Sequence, residues 1–331
     1  MVSTTSGATG SGPPFAGRVG FFGPFGTFTE QAVRSQADLG ATDLVDYPTV
    51  PDVLDGVASG EVDCGVVPIE NSIEGVVNFT QDALVFDYDL LITREIVLDI
   101  EHCLVGAPGL TMEHVKAVVS IPVATAQCHR FLREQLRAAE VRPASSTAGA
   151  ARLVADGPAG EHGAAPEPGL AAIAPRVAAQ RYGLDVIASD IADHAGNQTR
   201  FVVVAREGVP RRTGHDRTGM VVFQRADVPG SLVSILQEFA ARRINLSNLL
   251  SRPTKDGGLG DNCFVIYADA HIGDELLADA MRALHLKQGR VKFLGSYPIA
   301  GESPDQGEEH HDARWGAAQD WVAGLQAMIQ R

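Results

Sequence analysis

The sequence predicts an α/β protein of two lobes, joined by a polar linker to a smaller unit with the element order βαββαβ. Short apolar runs, bounded by glycine, proline and polar turns, alternate with amphipathic stretches from residue 18 to residue 206. That alternation starts afresh near His102, which predicts two lobes, about 18–100 plus 190–206 and about 101–189. From 218 to 298 the runs change to strand, helix, strand, strand, helix, strand, the ferredoxin-like split βαβ order.

The first lobe opens with a strand, Arg18 to Phe22, and the turn Gly23-Pro24-Phe25-Gly26. Thr27 with Glu30 three residues on matches a capping box, so a helix starts here. Free N–H groups at such a start suit an anion, and Thr27 and Thr29 read either as part of that site or as plain caps. The glycine spacing is not GxGxxG, so no dinucleotide fingerprint is read. Val45–Tyr47 reads as a strand, Val50–Ser59 as a helix and Cys64–Pro68 as a buried strand. That strand empties into four polar side chains, Glu70, Asn71, Ser72 and Glu74, before a helix expected over Val76–Leu84. Polar side chains at a strand's end are where open α/β sheets bind ligands, although Asn71 or Ser72 could equally cap the helix. Leu90–Ile100 is a further strand.

In the second lobe, strands are expected at Cys103–Val105, Ala117–Val119, Leu170–Ile173 and Val186–Ala188, with helices near Met112–Val115 and over Pro175–Tyr182. Ser120 before Pro122 is helix-start chemistry. The helix that follows carries Gln127 and Arg130 near its beginning and aligns Cys128, Leu132 and Leu136 on one apolar row. Ser120 and Gln127 read as cap and surface, or as the wall of a cleft. Asp156–Gly169 is a Gly/Pro/Ala-rich loop. Then the turn Asp193–Asn197 leads into a buried strand with Thr199, Arg200 and Phe201 at its mouth. A hydroxyl can give a directed hydrogen bond and a guanidinium suits a carboxylate. The return of this strand to the first lobe would place Thr199 and Arg200 at the cleft.

Residues 207–217 read as the linker. In the smaller unit, Pro229-Gly230-Ser231-Leu232-Val233 opens a helix, Asn245 begins the next strand, and Leu250-Ser251-Arg252-Pro253 continues it. An open sheet edge in such a unit pairs with a second copy. The tail from 299 is acidic, and Trp321, Leu325 and Met328 at helical spacing predict a terminal helix docked on the body.

Composition excludes several classes. A formal charge of −14 over 331 residues argues against a general nucleic-acid binder. No apolar run reaches the ~20 residues of a membrane span. Residues 1–17 lack a charged segment followed by an apolar one, and read as a flexible leader rather than a signal peptide. Four scattered cysteines without a CxxC pair imply reduced, buried thiols in a cytoplasmic protein. Ten histidines show no ligand spacing, and neither metal nor cofactor is expected.

Over about residues 18–298 the sequence resembles the prephenate dehydratases. The motifs are Gly23-Pro-Phe-Gly-Thr-Phe-Thr-Glu30, Val67-Pro-Ile-Glu-Asn-Ser72, Ser120 with Gln127-Cys128, and Thr199-Arg-Phe201, in that order. The smaller unit resembles an ACT domain, with Gly230-Ser-Leu-Val233 and Ser251-Arg-Pro253 where the family uses Gly-Ala-Leu-Val and Glu-Ser-Arg-Pro. The resemblance implies a periplasmic-binding-protein-like pair of lobes with prephenate in the cleft. It implies Thr199 as the central catalytic residue, with Asn71, Ser120 and Gln127 lining the site. Thr27, Thr29, Glu70, Ser72, Arg200 and Phe201 join them as expected substrate-binding residues. It further implies L-phenylalanine as effector between two ACT copies, at Gly230–Val233, Asn245 and Leu250–Pro253, and self-association into dimers or tetramers. Ile121 and Val123 replace polar positions beside Ser120, and Leu250 and Ser231 depart from the effector motifs. Arogenate dehydratase and a non-catalytic amino-acid sensor remain the alternatives.

Overall fold

The computed structural model describes residues 17–157, 167–224, 228–254, 262–288, 290–301, 321–325 and 327–328. The first lobe runs β1 (Arg18–Phe22), α1 (Phe28–Ser35), α2 (Ala37–Gly40), β2 (Asp43–Tyr47), α3 (Val50–Ser59), β3 (Cys64–Asn71), β4 (Gly75–Val76), α4 (Asn78–Asp82) and β5 (Leu91–Asp99). The second runs β6 (Cys103–Gly106), β7 (Ala117–Ser120), α5 (Pro122–Gln127), α6 (His129–Gln135), β8 (Glu140–Pro143), α7 (Thr147–Asp156), β9 (Leu170–Ala174), α8 (Arg176–Tyr182) and β10 (Asp185–Ala188). The chain then returns to the first lobe as β11 (Gln198–Ala205). The third unit is β12 (Asp216–Phe223), α9 (Ser231–Ala240), β13 (Leu246–Pro253), β14 (Asn262–Ala268), α10 (Glu275–Gln288) and β15 (Arg290–Pro298).

Three sheets result, in the orders β2-β1-β3-β11-β5, β10-β6-β9-β7-β8 and β13-β14-β12-β15, with β4 paired to β3 outside the first path. This is an α/β body of two lobes carrying a βαββαβ unit. β11 is antiparallel to both of its neighbours, and Thr199 stands opposite Asn71.

Local sequence explains most elements. Thr27 caps α1 and Thr49 caps α3, each accepting from the backbone three residues on. Cys128, Leu132 and Leu136 are buried in one cluster, as their helical spacing requires. The helix expected over Val76–Leu84 begins only at Asn78, because Gly75 and Val76 fold back onto Asn71 and Glu70 as β4, and it runs on from Asp82 as a π-helical turn, Ala83–Asp87. The helix expected near Met112 is a single 3-10 turn, Met112–His114. The helix after Ser120 breaks at Cys128 into α5 and α6. Residues 321–325 are helical, but Trp321, Leu325 and Met328 are 67%, 45% and 74% exposed, so this row does not dock on the body. The connection between the two successive strands of the βαββαβ order, residues 255–261, lies outside the described residues.

The first sheet is buried on both faces. On one, Phe201 and Val203 pack with Val19, Phe21 and residues of α1. On the other, Val202 and Val204 share a core with α3 and with Val221, Val265, Tyr267 and Tyr297 of the third unit. The third unit's sheet therefore packs directly on the first lobe. Arg217 crosses the boundary to the buried Glu95 at 2.7 Å, and Lys292 donates to the carbonyl of Tyr88 at 2.7 Å. Burial pushes the four free thiols up, Cys64 and Cys128 to about 12 and Cys103 and Cys263 to about 11. Among the described residues no helix is long and apolar enough to cross a membrane.

Gly295 marks the tightest point of the docking. Its φ is +133°, and a Cβ there would lie 2.1 Å from the carbonyl oxygen of Ile92 on β5. Gly295→Ala is therefore expected to lower stability by about 3 kcal/mol, at the upper end of overpacking costs, with the urea midpoint as readout. An unchanged midpoint would show that the two sheets slide apart without cost.

Candidate active site at the junction of the lobes

The two segments that cross between the lobes are tied to each other. Ile100 N–H donates to the carbonyl of Asn197 at 2.8 Å, and Ile191 N–H to that of His102 at 3.0 Å. At this crossing stands a chain of side-chain amides whose proton positions are fixed from one end. Asn71 Oδ1 accepts from the backbone N–H groups of Ile73 and Glu74, at 2.9 and 3.0 Å. That settles which end of its amide is the NH₂. The two protons of Asn71 Nδ2 are then shared among Thr199 Oγ1 at 2.9 Å, Asn197 Oδ1 at 2.8 Å and the carbonyl of Gln198 at 3.1 Å. Asn197 Nδ2 in turn donates to Gln127 Oε1 at 3.1 Å, and Gln127 Nε2 to Glu74 Oε1 at 3.1 Å. Gln127 Oε1 also meets His102 Nε2 at 2.9 Å.

The consequence for Thr199 is chemical. An amide NH₂ only donates, so Thr199 Oγ1 is the acceptor in its contact with Asn71, and its own proton remains available to give. Thr199 is half-buried, whereas Asn197, Gln127 and His102 are buried.

The first lobe contributes the turn before α1. Thr27 and Thr29 are buried on its first turn. Thr27 Oγ1 donates to the carbonyl of Phe22 at 3.3 Å and caps Glu30 N at 3.4 Å. The Glu30 carboxylate reaches back to Gly26 N–H rather than Thr27 N–H, a capping box displaced by one residue. A Cβ on Gly26 would meet Ala148 and Tyr182 at 3.3 Å, and Tyr182 Oη donates to the carbonyl of Phe25 at 3.1 Å. The turn is thus seated on the start of α7, at Ala148, and along α8, at Ala178 and its last residue Tyr182. These helices follow the parallel strands β8 and β9, and ligands bind at such strand ends. Phe28 stands edge-on to the His102 ring, 5.5 Å between centroids.

Several expected substrate residues are placed otherwise. Arg200 leaves β11 on the face opposite Thr199, because successive strand side chains alternate. It pairs with Glu70, its cross-strand neighbour, and lies 3.6 Å from Glu95. Both line a small cavity with Arg217, Tyr267 and Tyr297 of the third unit, so they belong to that boundary rather than to the cleft. Burial pushes Tyr267 up to about 12, and its neutral Oη donates to Gln81 Oε1 at 2.9 Å. Phe201 is 2% exposed in the sheet core. Ser120 is fully buried and its hydroxyl donates to the carbonyl of Ile173 at 2.7 Å, so that proton is committed. Ser72 Oγ accepts from Gln198 N–H at 2.9 Å and fixes the mouth of β11. Two participants were not anticipated: His102 and Asn197.

In the third unit, Gly230 has φ +88° and open space where a Cβ would stand. Ser231 accepts from Gln224, Leu232 is half-buried and Val233 is 56% exposed. Asn245 donates to Asp269 Oδ2 at 2.7 Å. It lies at the other end of α9, about 15 Å away by the rise of a ten-residue helix, so one chain does not bring it to Gly230. Along β13, Ser251 and Pro253 are exposed, while Leu250 joins the shared core. Arg252 also faces the first lobe. It donates from Nε to Asp82 Oδ1 at 2.7 Å and from Nη1 to Asn78 Oδ1 at 3.0 Å. Leu250 and Arg252 are therefore turned to the first lobe of their own chain.

Comparison with known proteins agrees with this architecture. The family model described as prephenate dehydratase matches residues 19–209, and that of the ACT domain matches residues 219–286. The prephenate dehydratase of Mycolicibacterium gilvum is 40% identical over 291 residues, 85% of this chain and 90% of the relative. That of Mycobacterium tuberculosis is 38% identical over 322 residues, 94% of each chain. The crystal structure of a prephenate dehydratase in complex with L-Phe from Arthrobacter aurescens is 39% identical. It superposes with a TM-score of 0.84 over 94% of this chain and 99% of that one. This chain, with its two lobes and ACT domain, belongs to the prephenate dehydratase family.

Proposed function

We propose that Thr199 assists loss of the ring hydroxyl of prephenate by donating its proton toward the departing oxygen. The observation that carries this is the Asn71 amide, which occupies Thr199 Oγ1 as a donor and leaves the hydroxyl proton free. The carbon–carboxylate bond breaks to release CO₂, its electron pair completes the aromatic ring, and the carbon–oxygen bond at the opposite ring carbon breaks. With one proton added the leaving group departs as water, and phenylpyruvate remains. A threonine hydroxyl is a weak acid, so it acts as a positioned hydrogen-bond donor, resupplied from solvent. Thr27 and Thr29 on the first turn of α1 support binding of a substrate carboxylate through the helix-start N–H groups. Gln127, whose polar atoms are engaged by His102, Asn197 and Glu74, acts by shaping the site.

The ACT domain acts as a phenylalanine sensor for the same reaction, with the ligand held between two copies, and the enzyme works in the cytoplasm. The structure from Arthrobacter aurescens in complex with L-Phe supports the choice of effector. Gly230 offers backbone without steric cover, and Asn245, at the far end of α9, would come from the second copy. Arg252 provides the route to the cleft. It grips Asp82 and Asn78 of α4, which follows the β4 hairpin that holds Asn71. A shift of β13 on effector binding is carried to the amide that orients Thr199.

Thr199→Ala is expected to lower kcat by about 10²–10⁴-fold, with Thr199→Ser retaining most of it, in an absorbance assay for phenylpyruvate. Near-normal turnover by a folded Thr199→Ala enzyme would exclude the role. Asp82→Asn is expected to leave kcat/KM without effector within about twofold while raising the phenylalanine concentration for half-inhibition by about tenfold. Unchanged sensitivity, with phenylalanine binding intact by calorimetry, would exclude the Arg252 route.

A further inference from the structure

We propose that His102, as the neutral imidazole protonated on Nε2, is a positioning residue for the reaction. It fixes the direction of the amide chain Gln127–Asn197–Asn71 and thereby the donor direction of the Thr199 hydroxyl. The inference rests on the reading of Thr199 given above.

The geometry permits one proton arrangement. With Asn71 held by two backbone N–H groups, Asn197 must present Oδ1 to it and Nδ2 to Gln127. Gln127 must then present Oε1 to Asn197 and Nε2 to the Glu74 carboxylate. The ring nitrogen that meets Gln127 Oε1 therefore carries the proton, since an amide oxygen only accepts. Reversing Gln127 would set its oxygen against the Glu74 carboxylate, and its NH₂ against both Asn197 Nδ2 and His102 Nε2–H. His102 occupies the second acceptor direction of that oxygen and gives the chain a donor from the crossing segment itself.

The remaining ring nitrogen agrees with this assignment. His102 is 4% exposed, and Nδ1 has no hydrogen-bond partner among the described residues. A proton there would be a buried, unanswered donor, so Nδ1 is the bare position. Burial also holds the imidazole below its ordinary pKa, which favours the neutral form. Phe28, from the turn that bears Thr27 and Thr29, lies edge-on to the ring and limits its rotation. His102 thus touches elements of both lobes without itself standing beside Thr199.

The test uses the full-length enzyme. His102→Leu removes the donor, and its kcat is expected to fall about tenfold, the loss of one hydrogen bond's worth of orientation, with KM changed less than about twofold. His102→Gln can place an NH₂ where Nε2–H stood, and is expected to recover kcat to within about threefold of wild type. Nitrogen-15 shifts of labelled histidine, assigned by the resonances lost in His102→Gln, should show Nδ1 unprotonated and Nε2 protonated. Unchanged kcat in a folded His102→Leu enzyme would overturn the proposal, as would equal losses in the Leu and Gln variants. A ring protonated on Nδ1 would overturn it even if His102→Leu did not fold. The nitrogen measurement is independent of the role of Thr199, so failure of that role in Thr199→Ala is read separately.

Discussion

β11 lies between β3 and β5 with a different partner on each face, and the alternation of its side chains divides the labour of the molecule. Thr199 looks toward the crossing of the lobes, and Arg200, one residue on, looks toward the ACT domain. The two residues share a backbone but serve separate surfaces. A single central strand thus places the Thr199 hydroxyl and the boundary with the ACT domain within one residue of each other. Movement of that strand cannot affect one surface alone.

The chemistry at Thr199 depends less on what the hydroxyl touches than on the direction in which it is touched. Amides have a donor end and an acceptor end, and a chain of them transmits orientation the way a row of polar switches does. In this protein the row begins at two backbone N–H groups and ends at a carboxylate and an imidazole. Each member is satisfied on both sides, apart from the bare nitrogen of His102. Such a network is costly to leave half made, which is why it can hold a weak acid in one attitude.

Much of this was legible in the sequence, where the signal was local. The cap at Thr27, the apolar row Cys128, Leu132 and Leu136, and the βαββαβ order depend on neighbours a few residues apart. Thr199, Asn71 and Gln127 could be named from motifs, but their contacts could not. Thr199 and Asn71 meet through pairing of strands 128 residues apart in sequence. Arg200 was misread although the period-two rule that separates it from Thr199 needs only the sequence. His102 and Asn197 were missed because a single polar residue beside an apolar run has no period to betray it. Ser120 was read as a site residue from its motif, and the fold gives its proton to a backbone carbonyl instead. The docking of Arg252 on Asp82 had no signal at all, since ion pairs 170 residues apart leave no spacing to count.

The core shared between the first sheet and the ACT sheet has a consequence for the molecule as a piece of machinery. Val67, Ile69, Val202 and Val204 share their core with α3 and with Val221, Val265, Tyr267 and Tyr297, so the ACT strands complete a cover that α3 only begins. A chain ending at residue 206 would present this apolar face to water, and association of such a fragment, visible by light scattering, is its expected fate. The ACT domain is therefore a structural wall of the first lobe. Natural recombination could exchange that wall for another of the same shape, but could not simply discard it.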